Sequence, residues 1–140
     1  MKEPLTEELL EELLSAPDPG NFVDACHVRP RSLSNYLQQL LEEKGLVRST
    51  VIRQAGINDT YGYEIFSGHK DKPGRNYVLQ LAFAMGLNLK ETDRLLQAAG
   101  ANGLYCKNRR DAIIIFCLDK GYSLQRTDEE LYRFGEETIC

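Results

Sequence analysis

The chain has 140 residues, 42% of them apolar, with 17 lysines and arginines against 21 acids and a formal net charge of −4. That length can bury a core without metal or disulfides, and the acidic total argues against indiscriminate binding to nucleic acid. No run of about eighteen apolar residues and no apolar signal core is present, so no membrane contact is expected and a cytoplasmic location is.

Taken in order, Leu5, Leu9 and Leu13, with Leu10 and Leu14 beside them, form an amphipathic stripe. Thr6 stands as its cap, and Glu7, Glu8, Glu11 and Glu12 are on the polar side. Ala16-Pro17-Asp18-Pro19-Gly20 stops it, and Asn21 to Arg31 shows no clear period. This arm either packs on its own domain or joins two subunits. Ser32 or Ser34 then caps a helix in which Leu33, Tyr36, Leu37, Leu40 and Leu41 recur at helical spacing until Lys44-Gly45.

The most informative run is Gly45 to Gly68. An apolar comb of Val51, Ile52 and Ala55 stops at Gly56; Ile57 re-enters the core, and Asn58 can cap a second helix carrying Tyr61, Ile65 and Phe66. Two short helices on either side of a glycine turn are the grammar of a helix-turn-helix. Gly62, inside the second helix, costs about 1 kcal/mol against alanine, and Tyr61 and Phe66 are expected to fill the space beside it. Charge concentrates here too. Lys44, Arg48, Arg53, Lys70, Lys72 and Arg75 face only Asp59, Glu64 and Asp71, whereas residues 1–20 hold six acids and one base. A local excess of cations is what phosphate contact needs.

Next, Val78, Leu81, Ala82 and Met85 fall at i, i+3, i+4 and i+7 before Gly86, and Asn88-x-x-Glu91 is a capping box opening a helix with Leu95, Leu96 and Ala99 inward. The remainder repeats this hairpin. A shift of 35 residues aligns Arg75 with Arg110, Val78 with Ile113, Gly86 with Gly121, Leu89 with Leu124, Thr92 with Thr127, Asp93 with Asp128, Leu96 with Leu131 and Gly100 with Gly135. Two copies are too few for a solenoid, so an elaborated bundle is expected. The second copy is so apolar from Ile113 to Leu118 that burial on several sides, against its own domain or a second subunit, is expected.

Gly45-Leu46, Arg48 to Ala55, Gly56-Ile57-Asn58, Asp59 to Ser67, Gly68 and the basic loop His69 to Pro73 together resemble the Cro/λ-repressor (XRE-family) DNA-binding domain. Leu79 to Leu89 resembles that family's fourth helix and the turn into its fifth, so the resemblance covers roughly 33–100. It implies an all-α fold: a λ-repressor-like five-helix bundle, with an N-terminal helical arm and an added C-terminal helical hairpin. One domain over 1–140 would comprise an arm and loop (1–31), the helix-turn-helix core (32–100) and the hairpin (101–140). By position, the resemblance assigns Asn58, Asp59, Thr60 and Tyr63 to base edges, Arg48 and Ser49 to phosphate, and His69, Lys70, Lys72 and Arg75 to the flanking backbone. It implies a homodimeric, sequence-specific regulator on double-stranded DNA. The alternative is an adaptor on the same scaffold that offers Tyr61, Tyr63 and Phe66 to a protein partner.

No cofactor, metal site or enzymatic activity is expected. There is no phosphate-cradling glycine loop, no nucleophile elbow and no His/carboxylate pair at metal spacing. Cys26, Cys106, Cys117 and Cys140 lie far apart with only His27 and His69 to help, which points to reduced thiols, Cys117 as a small core residue.

Overall fold

A computed structural model describes Ser32–Cys140; the expected arm and loop, 1–31, lie outside the described residues. The described chain is all-α, with seven helices and no strand: α1 (Leu33–Lys44), α2 (Arg48–Ala55), α3 (Asp59–Ser67), α4 (Arg75–Ala84), α5 (Leu89–Ala98), α6 (Arg109–Asp119) and α7 (Leu124–Arg133). No described helix is long and apolar enough to cross a membrane.

Most starts and stops have a local cause. Ser32 Oγ accepts the Asn35 amide at 3.1 Å to open α1. Asn58 Oδ1 accepts the Thr60 and Tyr61 amides at 3.0 and 3.4 Å to open α3. Between them α2 ends at Gly56, whose φ of 72° lets the chain reverse so that Ile57 returns to the core. Asn88 and Glu91 complete the capping box of α5. The core gathers Leu37 and Leu40 of α1, Ile52 of α2, Ile65 of α3, Leu79 and Leu81 of α4 and Leu95 and Leu96 of α5, all inaccessible or nearly so. α1 packs on α3 and α5, and α2 on α3 and α4.

The 35-residue repeat reappears in the hydrogen bonds. Arg75, opening α4, donates from Nε and Nη2 to the carbonyls of Asn102 and Gly103, both at 3.2 Å. Arg110 does the same to Glu137 and Thr138, at 2.8 and 3.2 Å. Asp93 accepts the Leu104 amide at 2.8 Å, and Asp128 accepts the Ile139 amide at 2.7 Å. In each hairpin, therefore, an arginine and an aspartate clamp the segment that follows the second helix. Neither end of that segment hangs free.

The two hairpins are also tied reciprocally. Both Nη atoms of Arg75 meet the Asp111 carboxylate at 2.9 Å, and Arg110 Nη2 donates to Asn76 Oδ1 at 3.0 Å. Asn76 and Asp111 hold the same place in the repeat. α4 touches α7 just as α6 touches α5. When residue i of one half touches j of the other and the reverse also holds, the pair is isologous. The bundle is elaborated as an internal, approximately twofold couple of hairpins.

One expectation fails in part. α6 is buried on one side only: Ile114 and Cys117 are enclosed, but Ile113 and Ile115 are half-buried and Phe116 is 52% exposed. The reason is asymmetry of cover. α2 lies along α4 in the first hairpin, and no described helix takes that part for α6.

Candidate nucleic-acid interface

The α2–α3 crossing is closer than the sequence suggests. A Cβ built on Gly62 would come within 2.5 Å of Ile52 Cγ2, and Ile52 is fully enclosed. The space at Gly62 is thus occupied by Ile52 from α2, and not by Tyr61 and Phe66. Glycine lets the two helix backbones approach and fixes how far α3 stands out from α2. Phe66 is buried in the core, and Tyr61 is half-buried against Tyr77, their ring centroids 4.8 Å apart. Burial, then Tyr77, then Glu64 push the Tyr61 hydroxyl above the ordinary tyrosine range.

With Gly62, Ile65 and Phe66 inward, α3 presents Asp59, Thr60, Tyr63 and Ser67 to solvent. Asn58 is exposed at its start, with Oδ1 engaged in the cap. The Arg48 guanidinium lies 4.8 Å from the centroid of the Tyr63 ring, joining the start of α2 to the exposed face of α3. α2 itself has Val47 at its N-cap and no side chain accepting from its first turn, where Arg48 and Ser49 are exposed. Free first-turn amides at a helix N-terminus favour an anion.

The loop after α3 carries His69, Lys70 and Lys72 outward and buries Pro73. The Lys70 amide donates to Glu64 O at 3.0 Å, so the loop folds back on α3. The stem of Lys72 runs beside Gly100, at the end of α5, and its ammonium thus stands on the α5 side of the loop.

Arg75 requires correction. The sequence sets it against the DNA backbone, but its guanidinium is engaged by Asp111 and two carbonyls, at the joint between the hairpins. Lys44 likewise pairs with Glu91 at 3.2 Å. Of the six cations counted between residues 44 and 75, Arg48, Arg53, Lys70 and Lys72 enter no ion pair among the described residues, and they stand against Asp59, Glu64 and Asp71. The excess is smaller than the sequence implies, and it lies on the two ends of α2 and the loop after α3.

Three residues that matter here escape the sequence reading. Gln80 is buried, with Nε2 donating to Ala55 O at 2.9 Å and so holding the end of α2. Its signal is a polar residue inside the apolar run 78–82. Asn76 and Asp111 become visible only when the repeat is read as a pair of contacting copies. Among the described residues no group of three or more His, Cys, Asp or Glu side chains could hold a metal ion. Comparison of the chain with protein-family models, with curated proteins and with solved structures gave no match.

Proposed function

We propose that the protein binds duplex DNA sequence-specifically as a transcriptional regulator of the XRE type, with α3 in the major groove. The observation that carries this reading is the exposed first turn of α3 standing beside an uncapped α2 N-terminus, with Arg48 bridging the two through Tyr63. A major groove admits one helix, and the amides of the neighbouring helix then meet the phosphate rail. In this reading Thr60 and Asn58 read base edges, Asp59 accepts from a cytosine amino group, and Tyr63 supplies an apolar surface. Arg48, Ser49, His69, Lys70 and Lys72 position the protein on the backbone and carry no sequence information.

The protein would act without catalysis or cofactor, in the cytoplasm, as a homodimer reading two half-sites about 34–36 Å apart. The adaptor alternative loses ground because Phe66 lies in the core, leaving no continuous aromatic face of Tyr61, Tyr63 and Phe66. Selection from a pool of random duplexes at about 50 mM salt, followed by salt titration, tests the proposal. An enriched, twofold-related sequence with salt-dependent affinity is the expected result; no enriched sequence at low salt would overturn it.

A further inference from the structure

The turn between α2 and α3 rests on one buried amide. Gln80 of α4 donates from Nε2 to Ala55 O, in the last residue of α2, at 2.9 Å. A methyl built on Gly56 would lie 4.0 Å from the same nitrogen, so the amide stands beside the peptide that begins the turn. The turn's own bonds run from the Gly56 and Ile57 amides to Arg53 O and Ile52 O, at 3.1 and 3.3 Å, and do not use Ala55 O. Behind Gln80 stands the second hairpin: Nε2 also lies 3.5 Å from Cys140 Sγ. Asp128 of α7 holds Cys140 there by accepting the Ile139 and Cys140 amides at 2.7 and 3.1 Å, and Ile139 is buried. In the repeat, Ile115 takes the place of Gln80 and Tyr105 that of Cys140, and the Tyr105 amide turns to Asp111 instead. The buried amide therefore belongs only to the hairpin that α2 lies against. The second hairpin forms with isoleucine at this place, so folding of a hairpin does not demand glutamine.

We propose that Gln80 is the positioning residue of the DNA-reading unit: it fixes the end of α2, and through it α3, against the closing segment of the second hairpin. A satisfied buried polar link specifies one arrangement, whereas an apolar contact of the same size lets α2 slide. α3 follows α2, because Ile52 occupies the space at Gly62. Gln80 touches no base or phosphate and acts only through Ala55. Its effect on base reading rests on the proposed function; its hold on α2 does not.

The test is Gln80→Met in the full chain, which keeps the length of the side chain and removes its donor, with thermal melting to verify folding. Native-state hydrogen exchange without DNA comes first. The Gly56 and Ile57 amides should exchange at least about tenfold faster, with the Ile114 amide in α6 unchanged. Cys140→Ala, which leaves Gln80 in place, should shift the same two amides in the same direction by less, and Cys140→Ser should restore them. In duplex binding, Gln80→Met should lower the preference for the enriched sequence over random duplexes by about three- to tenfold. The salt slope should stay as it is, since no phosphate contact is lost. Equal acceleration at Gly56, Ile57 and Ile114, no acceleration at all, or an unaltered preference would each overturn the role of Gln80. A response to Gln80→Met with none to Cys140→Ala would overturn the link to the second hairpin. A wild type that enriches no duplex sinks the regulator reading alone, because the exchange measurement uses no DNA.

Discussion

Replacing Gly62 by alanine sets two effects of known sign against each other. In a helix interior the exchange gains about 1 kcal/mol from backbone entropy. Against this, the new methyl would meet Ile52 Cγ2 at 2.5 Å and Cγ1 at 2.9 Å. Both atoms sit on the branched carbon of a fully enclosed side chain, which cannot swing aside. Overpacking of that kind costs about 1–3 kcal/mol, so the net change is a loss of up to about 2 kcal/mol. For a domain of this size it lowers the melting temperature by about 3–5 °C per kcal/mol. Thermal unfolding followed by circular dichroism reads it, and a double-mutant cycle isolates the cause. In an Ile52→Ala background the obstruction is gone, and Gly62→Ala should then stabilise by up to about 1 kcal/mol. The sign reverses between the two backgrounds. If alanine at position 62 stabilises the wild-type chain, or destabilises both chains equally, the close crossing of α2 and α3 is wrong.

Other substitutions separate interface from scaffold. Thr60→Ala should cost about 1–3 kcal/mol in DNA binding and relax preference at one base pair, read by repeating the duplex selection. Lys70→Ala should weaken all sequences alike and lower the salt slope by about one, with the melting temperature unchanged. Arg75→Gln should do the opposite: a stability loss of about 1–3 kcal/mol from the unpaired Asp111, with the salt slope preserved. Burial, partly offset by the Thr127 hydroxyl, raises the Cys117 thiol, and burial followed by Asp128 raises that of Cys140. Because the folded thiols hold their protons more tightly than unfolded ones, their contribution is complete at neutral pH and fades as pH climbs through the raised folded values. Urea midpoints should therefore fall toward about pH 10, less so in Cys117→Ala. A midpoint that rises with pH would contradict this. Exposed Cys106 should alkylate in the native protein and Cys117 only on unfolding.

Helix positions were legible because each is announced locally. Gly45, Gly56 and Gly68 end helices, Ser32, Asn58 and Asn88 begin them, and apolar residues at helical spacing set the inward faces. The expected bounds of α2 and α3 coincide with those observed. What sequence could not reveal depends on partners distant in the chain. Arg75 reads as a surface cation until Asp111, 36 positions later, is placed beside it. Gly62 reads as a weak point until Ile52 is seen to occupy its side, and Phe66 reads as core or as part of an exposed aromatic face until its burial is seen. The repeat itself was plain, but its arrangement as a mutual embrace rather than a stack came only from the reciprocal pairs Arg75–Asp111 and Arg110–Asn76.

That embrace limits how the molecule can be divided. A fragment ending at Gly100 would retain every helix of the region that resembles a DNA-binding module. It would also strip Arg75 of the Asn102 and Gly103 carbonyls and of the Asp111 carboxylate, and uncover the flank of α4 that meets α7. Excision at the boundary suggested by resemblance would yield a poorly soluble piece, because the front of the molecule borrows its rear wall from the tail.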